Sequence, residues 1–313
     1  MKINIAILNY NGKGLLEECL PSIIEASENS VYRPKVTVLD NRSTDGSIEF
    51  IKKRFPMVEI YIARENKVYC SYNEFFESVD DDVIFVLNSD IKADKAFIDP
   101  VIRHFEKDPN VFFVSSRMYY FDGVTYQGDL SRAVERFGVF SADSRFNGFE
   151  RMIDKENYTF STGNGAFDRK KYLKLGGYDE IYLPGRYEDV DLCYRAWKAG
   201  FKGMYEPESV IFHKGYASFK SVFSDKHIER TVFRNSLLFM VKNFSDPVLL
   251  GRFYFWLPIR LAGFILTGRF HFIRGFREAV TKVPGVMARR YPALADAKLS
   301  DRKVLDLIGG PHG

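Results

Sequence analysis

Three clusters of polar residues in this chain have the types and spacing to do chemistry. Asn88-Ser89-Asp90 follows the apolar run Val83-Ile84-Phe85-Val86-Leu87, so oxygen ligands appear where a buried strand ends. In open α/β sheets, ligands bind outside the carboxyl ends of the strands, so a carboxylate there is placed to hold a cation and the phosphates it neutralises. Asn, Ser and Asp are also the usual turn and N-cap residues, and a capped turn would use the same three. Glu188, Asp189 and Asp191 crowd the start of a helical pattern after Gly185. Negative charge at a helix N-terminus is stabilising in itself, yet Glu188 and Asp189 stand where a carboxylate can also face a cleft and act as a general base. Arg195, one turn beyond Asp191, is expected to pair with it and leave Asp189 free. His213 closes the strand-like run Val210-Ile211-Phe212-His213; an imidazole, a carboxylate and a diphosphate would together complete a divalent cation's shell.

Elements that would position these groups alternate along the first third of the chain. Strands are expected at Ile3–Leu8, Val36–Leu39, Val58–Ala63 and Val83–Leu87, with helical spacing after Leu15, after Ile48, over Tyr72–Val79 and over Ala96–Phe105. Such alternation implies a mostly parallel sheet with crossover helices. Asp40 ends the second strand, where it can accept hydrogen bonds from a nucleobase or ribose, and Arg64, Asn66 and Asn73 follow the third. After Val111–Ser115 the rhythm changes. Residues 119–154 read as a long, partly ordered loop region that covers a site, Phe160–Phe167 carries small residues suited to close backbone approach, and Asp189–Ala199 reads as a helix stopped by Gly200.

Composition narrows the function classes. Aromatic residues reach 16%, which suggests stacking or interfacial surfaces. From Asp246 onward there are 11 Lys and Arg against 5 Asp and Glu, whereas the preceding residues carry 34 against 36, so the basic character belongs to the tail. Cys19, Cys70 and Cys193 are odd in number and widely spaced, arguing against a disulfide framework or a zinc site and for a reducing compartment. The opening residues do not read as a signal peptide, and a cytoplasmic location is expected. Val248–Thr267 is apolar and aromatic but interrupted by Arg252, Pro258 and Arg260. It makes a poor membrane-spanning helix and suits either an interfacial element facing anionic headgroups or a helix packed on the preceding domain.

In order along residues Ile3–Ser218, the motifs Ile7-Leu8-Asn9-Tyr10-Asn11, Leu39-Asp40-Asn41-Arg42-Ser43-Thr44-Asp45-Gly46-Ser47, Asn88-Ser89-Asp90, Gly163-Asn164-Gly165-Ala166-Phe167, Glu188-Asp189-Val190-Asp191-Leu192 and His213 resemble the inverting glycosyltransferases of family 2. Members that build bacterial surface polysaccharides, including rhamnosyltransferase-like ones, look most similar. The resemblance implies a GT-A fold, that is, a Rossmann-like α/β sheet with flanking helices over residues 1–218 (a nucleotide-sugar half, 1–115, and an acceptor half, 116–218). A helical, amphipathic, membrane-associating region would occupy 219–313.

It further implies a nucleotide-diphosphate sugar donor contacted by Asn9, Asn11, Asp40, Arg42, Asn66, Asn88, Ser89 and Asp90, with Asp40 on the base. Mn²⁺ or Mg²⁺ would be held by Asp90 and His213, the acceptor would meet Gly163, Asn164 and Asp191, and catalysis would fall to Asp189 with Glu188. The acceptor would be a glycan or lipid-linked saccharide, the enzyme peripheral on the inner face of the cell membrane, and nucleic acid no partner. Two positions depart from the family pattern: Asn88 replaces the first Asp of the metal triplet, and Asn66–Asn73 lacks the usual glycines. A nucleotidyltransferase with a phosphate loop at Asn9–Gly14 and a non-catalytic sugar-binding or scaffold protein are the rival readings.

Overall fold

The computed structural model describes residues 1–215 and 223–309. The expected domain boundary at 218/219 lies outside the described residues.

A ten-stranded mixed sheet forms the spine. Strands β1 (Ile3–Asn9), β2 (Lys35–Asp40), β3 (Glu59–Ile62) and β4 (Val83–Asn88) lie parallel in the order β3-β2-β1-β4, connected by helices α1 (Lys13–Asn29), α2 (Ser47–Arg54) and α3 (Ser71–Ser78). Helices on both faces bury all five apolar residues of β4, which is why that strand reads as a continuous apolar run instead of an alternating one. The register sets Leu8 beside Asn88 and Asn9 beside Asp40, so three polar strand ends share one edge.

Next come β5 (Ile91–Ala93), α4 (Ile98–Lys107), β6 (Val111–Tyr119), β7 (Tyr126–Gly128), β8 (Arg132–Arg136), β9 (Val139–Asp143), β10 (Asn157–Tyr158), β11 (Gly165–Asp168), α5 (Arg169–Lys174), α6 (Glu188–Lys198) and β12 (Lys202–His213). Strand β11 enters antiparallel between β4 and β6. It can do so because Gly165 has no side chain; a Cβ there would lie 2.6 Å from the Val114 carbonyl oxygen. The end of β12 pairs antiparallel with β5, His213 opposite Ile91, which brings His213 back beside Asp90.

Two expectations are corrected. Residues 119–154 contain β7 and the β8–β9 hairpin; Phe137 and Gly138 both take left-handed φ (51° and 75°), the geometry of a tight two-residue hairpin turn. The last strand begins at Lys202 instead of Val210. Its first half escapes pattern reading because Glu206 and Ser209 are buried polar residues, paired with His104 (2.8 Å) and Ser116 (2.7 Å).

Helices α7 (Asp225–Asn243), α8 (Pro247–Leu266), α9 (Phe270–Ala295) and α10 (Asp301–Ile308) complete the described chain. Residues of α7, α9 and α10 share one apolar core with Phe140, Phe160, Tyr182, Tyr194 and Trp197. The buried Lys198–Asp301 pair (2.6 Å) ties α6 to α10. These helices therefore pack on the region of α6 and the β8–β9 hairpin and share its core. Helix α8 differs: Phe253 is its one buried residue, while Tyr254, Phe255, Ile259, Ile265 and Leu266 face outward. It is the one helix among the described residues long and apolar enough, by length and composition, to cross a membrane.

Candidate active site

At the carboxyl edge of β1 and β2, hydrogen bonds tie two loops into one wall. Asn9 donates from Nδ2 to Asp40 Oδ2 (2.9 Å) and Ser43 Oγ (3.0 Å), Asp40 Oδ1 accepts from the Ser43 N–H (2.7 Å), and Asn11 Oδ1 accepts from the Thr44 N–H (2.7 Å). Asn9 and Asp40 are buried, whereas Asn11, Arg42 and Asn66 stand exposed on the rim. Asn66 Oδ1 caps its own turn at the Val68 N–H (3.0 Å). Gly12 is required by close approach, since a Cβ there would fall 2.5 Å from Asn9 Oδ1 and 3.2 Å from Ser89 Oγ. Asn9 Oδ1 and Asn41 Oδ1 are buried acceptors without a hydrogen-bond partner among the described residues. The Lys13 ammonium lies over the Phe50 ring (5.8 Å), so this loop does not turn its cation toward a phosphate as a nucleotidyltransferase loop would.

The groups suited to a cation lie beside that wall. His213 Nε2 is 3.2 Å from Asp90 Oδ1, and both side chains are largely buried. His213 Nδ1 is 3.1 Å from Gln127 Oε1. With Gln127 accepting from Nδ1–H, Nε2 turns its lone pair to the carboxylate, and the two acceptors attract one another only through a proton or a metal ion. An imidazole backed by an amide oxygen and facing a carboxylate fits Mn²⁺ or Mg²⁺ bound jointly with a ligand's phosphates. Asn88 is not part of this pair: its Oδ1 accepts from the Tyr69 hydroxyl (2.6 Å), and its backbone N–H donates to Asn164 Oδ1 (3.0 Å).

Tyr69 is the hub that sequence reading missed. Its hydroxyl lies within hydrogen-bond reach of both Asn88 Oδ1 and the Gly163 carbonyl (3.1 Å). Burial, then the charges of Tyr72, Asp189, Glu188 and Asp90, hold the phenol well above its usual pKa and keep it a donor. Gly163 passes so near the third cluster that a Cβ on it would be 3.4 Å from Asp189 Oδ2. Tyr69 thus joins the strand-end amide of Asn88 to the glycine loop, and that loop runs beside the helix-start carboxylate of Asp189.

Helix α6 presents Asp189 from a strained turn. Arg186 and Tyr187 both have left-handed φ (74° and 78°), a conformation that costs a non-glycine residue roughly 1–2 kcal/mol. Helix α7 holds the turn in place: the Asn235 amide nitrogen is 2.7, 2.9 and 2.7 Å from the carbonyls of Tyr182, Gly185 and Arg186, and Arg234 donates to Leu183 O (2.6 Å). Burial raises both Glu188 and Asp189, most strongly Glu188, where the Asp189 charge adds to it. For Asp189 the Val190 N–H and Arg186 partly offset the burial. The two carboxyls lie side by side and titrate as a pair, each holding its proton more readily than a free acid. Glu188 Oε2 is buried without a partner among the described residues.

Asp191, expected at the acceptor, is corrected to a structural residue. It is fully buried and its carboxylate is occupied by Tyr182 OH (2.8 Å), Arg195 Nε (2.8 Å), Lys242 Nζ (2.9 Å) and Asn243 Nδ2 (2.8 Å). The expected pairing with Arg195 is present, and Asp189 lies outside that network. Asn73 is structural as well, bonded to Tyr172 OH (2.7 Å) and the Tyr178 carbonyl (2.8 Å). Besides Tyr69, the residues missed in sequence were Gln127, Asn235 and Arg234, none of which carries a local signal.

A sheet of this topology with a strand-end carboxylate, a glycine loop and a carboxylate-bearing helix start defines a glycosyltransferase of the GT-A fold. The chain belongs to glycosyl transferase family 2, whose description matches residues 4–176. It is 22% identical over 260 residues to the uncharacterized glycosyltransferase YfnE of Bacillus subtilis, covering 70% of this chain and 66% of that protein. It is 25% identical over 239 residues to the N-acetylglucosaminyl-diphospho-decaprenol L-rhamnosyltransferase of Mycobacterium tuberculosis, covering 68% and 76%. Among solved structures, GalNAc-T7 with UDP, GalNAc and Mn²⁺ superposes with a TM-score of 0.61 at 15% identity, over 81% of this chain and 50% of that one. The mannosyltransferase PcManGT of Pyrobaculum calidifontis with GDP-Man and Mn²⁺ gives 0.54 at 14%, over 95% and 81%.

Proposed function

We propose that this chain transfers a sugar, with inversion, from a nucleotide-diphosphate sugar to a hydroxyl of a glycan or lipid-linked acceptor in bacterial surface-polysaccharide synthesis of the O-antigen or capsule type. The observation that carries the reading is that Tyr69 ties Asn88, two residues before the Asp90–His213 pair, to the Gly163 backbone that Asp189 approaches. Asp189 takes the acceptor hydroxyl's proton as that oxygen bonds to the anomeric carbon, and the bond from the anomeric carbon to the diphosphate oxygen breaks with its electrons leaving on the diphosphate. Asp90 and His213 would hold Mn²⁺ or Mg²⁺, which when bound neutralises charge on the leaving group. Asn9, Asp40 and Ser89 would line the nucleotide side, Arg42, Asn11 and Asn66 its rim, and Gly163 and Asn164 the acceptor side. Mn²⁺ in two structural neighbours and the diphospholipid acceptor named for the mycobacterial relative support these choices.

Thermal-shift titration with UDP-, GDP-, dTDP- and CMP-linked sugars tests the site. A ligand at about 100 times its Kd adds about 2.7 kcal/mol to stability, so one nucleotide class should raise the melting temperature in the presence of Mn²⁺ or Mg²⁺. The metal-dependent part should vanish in His213→Ala. No shift with any donor would sink the reading.

We also place the enzyme on the inner face of the cell membrane through α8. The two charges in that helix are engaged on the protein: Arg252 pairs with Glu135 (3.0 Å), and the Arg260 guanidinium lies over the Phe233 ring (5.0 Å). Outward there remain Tyr254, Phe255, Ile259 and Leu266, with Arg269 and Arg274 exposed just beyond. Aromatic and apolar side chains beside arginines suit an anionic headgroup layer. Phe255→Glu should reduce co-sedimentation with anionic phosphatidylglycerol vesicles about tenfold without altering the melting temperature. Unchanged sedimentation would show that the face meets something other than lipid. Removal of everything from Asp246 onward is no test, because α9 and α10 share the core of α6 and α7 and Asp301 pairs with the buried Lys198.

A further inference from the structure

We infer that Asp129 is a second carboxylate of the acceptor site, one that hydrogen-bonds an acceptor-sugar hydroxyl next to the hydroxyl that Asp189 deprotonates. The inference rests on the glycosyl-transfer reading above and names a residue that no motif indicated.

Asp129 lies in the turn between β7 and β8, where its backbone is pinned from several sides. Its carbonyl accepts from Ser115 Oγ (3.0 Å) and Thr159 Oγ1 (2.9 Å), and the following N–H, of Leu130, donates to Tyr126 OH (3.2 Å). The pinned backbone holds φ at 84°, left-handed, in a place where glycine would serve without strain. A turn needs no carboxylate there, so the side chain calls for its own explanation.

That side chain points along the glycine loop. Asp129 Oδ2 accepts from Thr162 Oγ1 (3.2 Å), and Thr162 Oγ1 in turn accepts from the Asn164 N–H (3.2 Å). Between those two residues stands Gly163, whose absent side chain leaves room beside Asp189 Oδ2. Asp129 and Asp189 therefore flank one short, side-chain-free stretch of backbone. Asp129 is partly buried, and a carboxylate withdrawn from water for stability alone is normally matched by Lys or Arg. Among the described residues Asp129 has no such ion pair, and the Thr162 hydroxyl is the one group that hydrogen-bonds its carboxylate. Burial pushes the acid up to about 8, the Thr162 hydroxyl partly offsets that, and the Asp189 charge adds to it, so at neutral pH Asp129 can donate as well as accept. Donor and acceptor capacity beside a catalytic carboxylate is what recognition of a vicinal diol requires.

The test uses the full chain and two variants. Asp129→Gly removes the carboxylate and relieves the backbone, and Asp129→Asn keeps the shape and some hydrogen bonding. Saturation-transfer NMR reads binding of methyl glycosides of rhamnose, glucose, galactose, mannose and N-acetylglucosamine; thermal shift reads donor binding separately. At least one glycoside should bind the unaltered protein, bind about tenfold more weakly to Asp129→Gly, and bind to an intermediate extent to Asp129→Asn. Donor affinity should stay within about twofold, and the melting temperature of Asp129→Gly should match or exceed that of the parent. The proposal is overturned if no glycoside binds the parent protein, if Asp129→Gly binds it equally well, or if both variants melt markedly lower, which would make Asp129 a structural residue. Absence of donor binding in the parent would sink the transfer reading instead, whatever the glycosides do.

Discussion

Asp189→Asn is expected to lower kcat by roughly 10²–10⁴-fold, the range that a positioned general base contributes, with donor affinity nearly unchanged. The amide keeps the shape of the carboxylate and its place against Gly163, but it cannot take a proton. A base acts in the chemical step and not in ground-state binding, so kcat should fall while thermal shift by the donor persists. Glu188 is not expected to replace it: its side chain is buried, and burial, the largest cause of its raised pKa, remains once the Asp189 charge is gone. Turnover by the variant within a few-fold of the parent would remove Asp189 from the mechanism. Loss of donor binding together with turnover would mean that the residue shapes the site and leaves the chemistry to another group.

Asp191→Ala should give the largest loss of stability, about 3–5 kcal/mol, the cost of removing one partner from a buried ion-pair network. Arg195 and Lys242 would be left buried without the carboxylate that both contact, although Lys242 keeps Asp179 (2.6 Å) and Arg195 keeps the carbonyl of Gly177 (2.6 Å). Thermal or urea unfolding measures the loss, and Asp191→Asn should recover part of it through Tyr182 and Asn243. An unfolding midpoint equal to the parent's would contradict the network. The same group sets a pH dependence. Burial alone would raise the Asp191 pKa, but Lys242, Arg195 and Asn243 outweigh it and hold the acid well below the usual carboxylate range. A folded-state pKa below the unfolded value of about 3.9 contributes stability in full above that value and loses it as pH falls toward the folded one. Unfolding in acid should therefore steepen below about pH 4 in the parent and less so in Asp191→Asn.

Placed side by side, the two predictions show how differently neighbouring carboxylates are used. Both aspartates belong to the first turn of α6 and look equivalent as letters. Two helical positions are about 200° apart around the axis, so residues at i and i+2 face opposite sides. One meets the cleft and the other the C-terminal helices.

The chain's alternating apolar runs by themselves determined a mostly parallel sheet with crossover helices, because strand and helix periods are written in residues a few places apart; the strand order β3-β2-β1-β4 came from the tertiary structure. The same local record marked Asp40, Asp90, Asp189 and His213 as polar groups at strand or helix ends. It also marked the stretch around Gly163 as a place of close approach. Only the tertiary structure decided what surrounds them. Strand β12 returns through β5 to set His213 beside Asp90. Tyr69 joins the Asn88 turn to the glycine loop. Asn235, nearly fifty residues beyond the turn it supports, holds Arg186 and Tyr187 in their strained conformation. Each of these contacts joins residues far apart in the chain, and its energy exists only once the sheet and the helices have packed, so no short-range pattern can carry it.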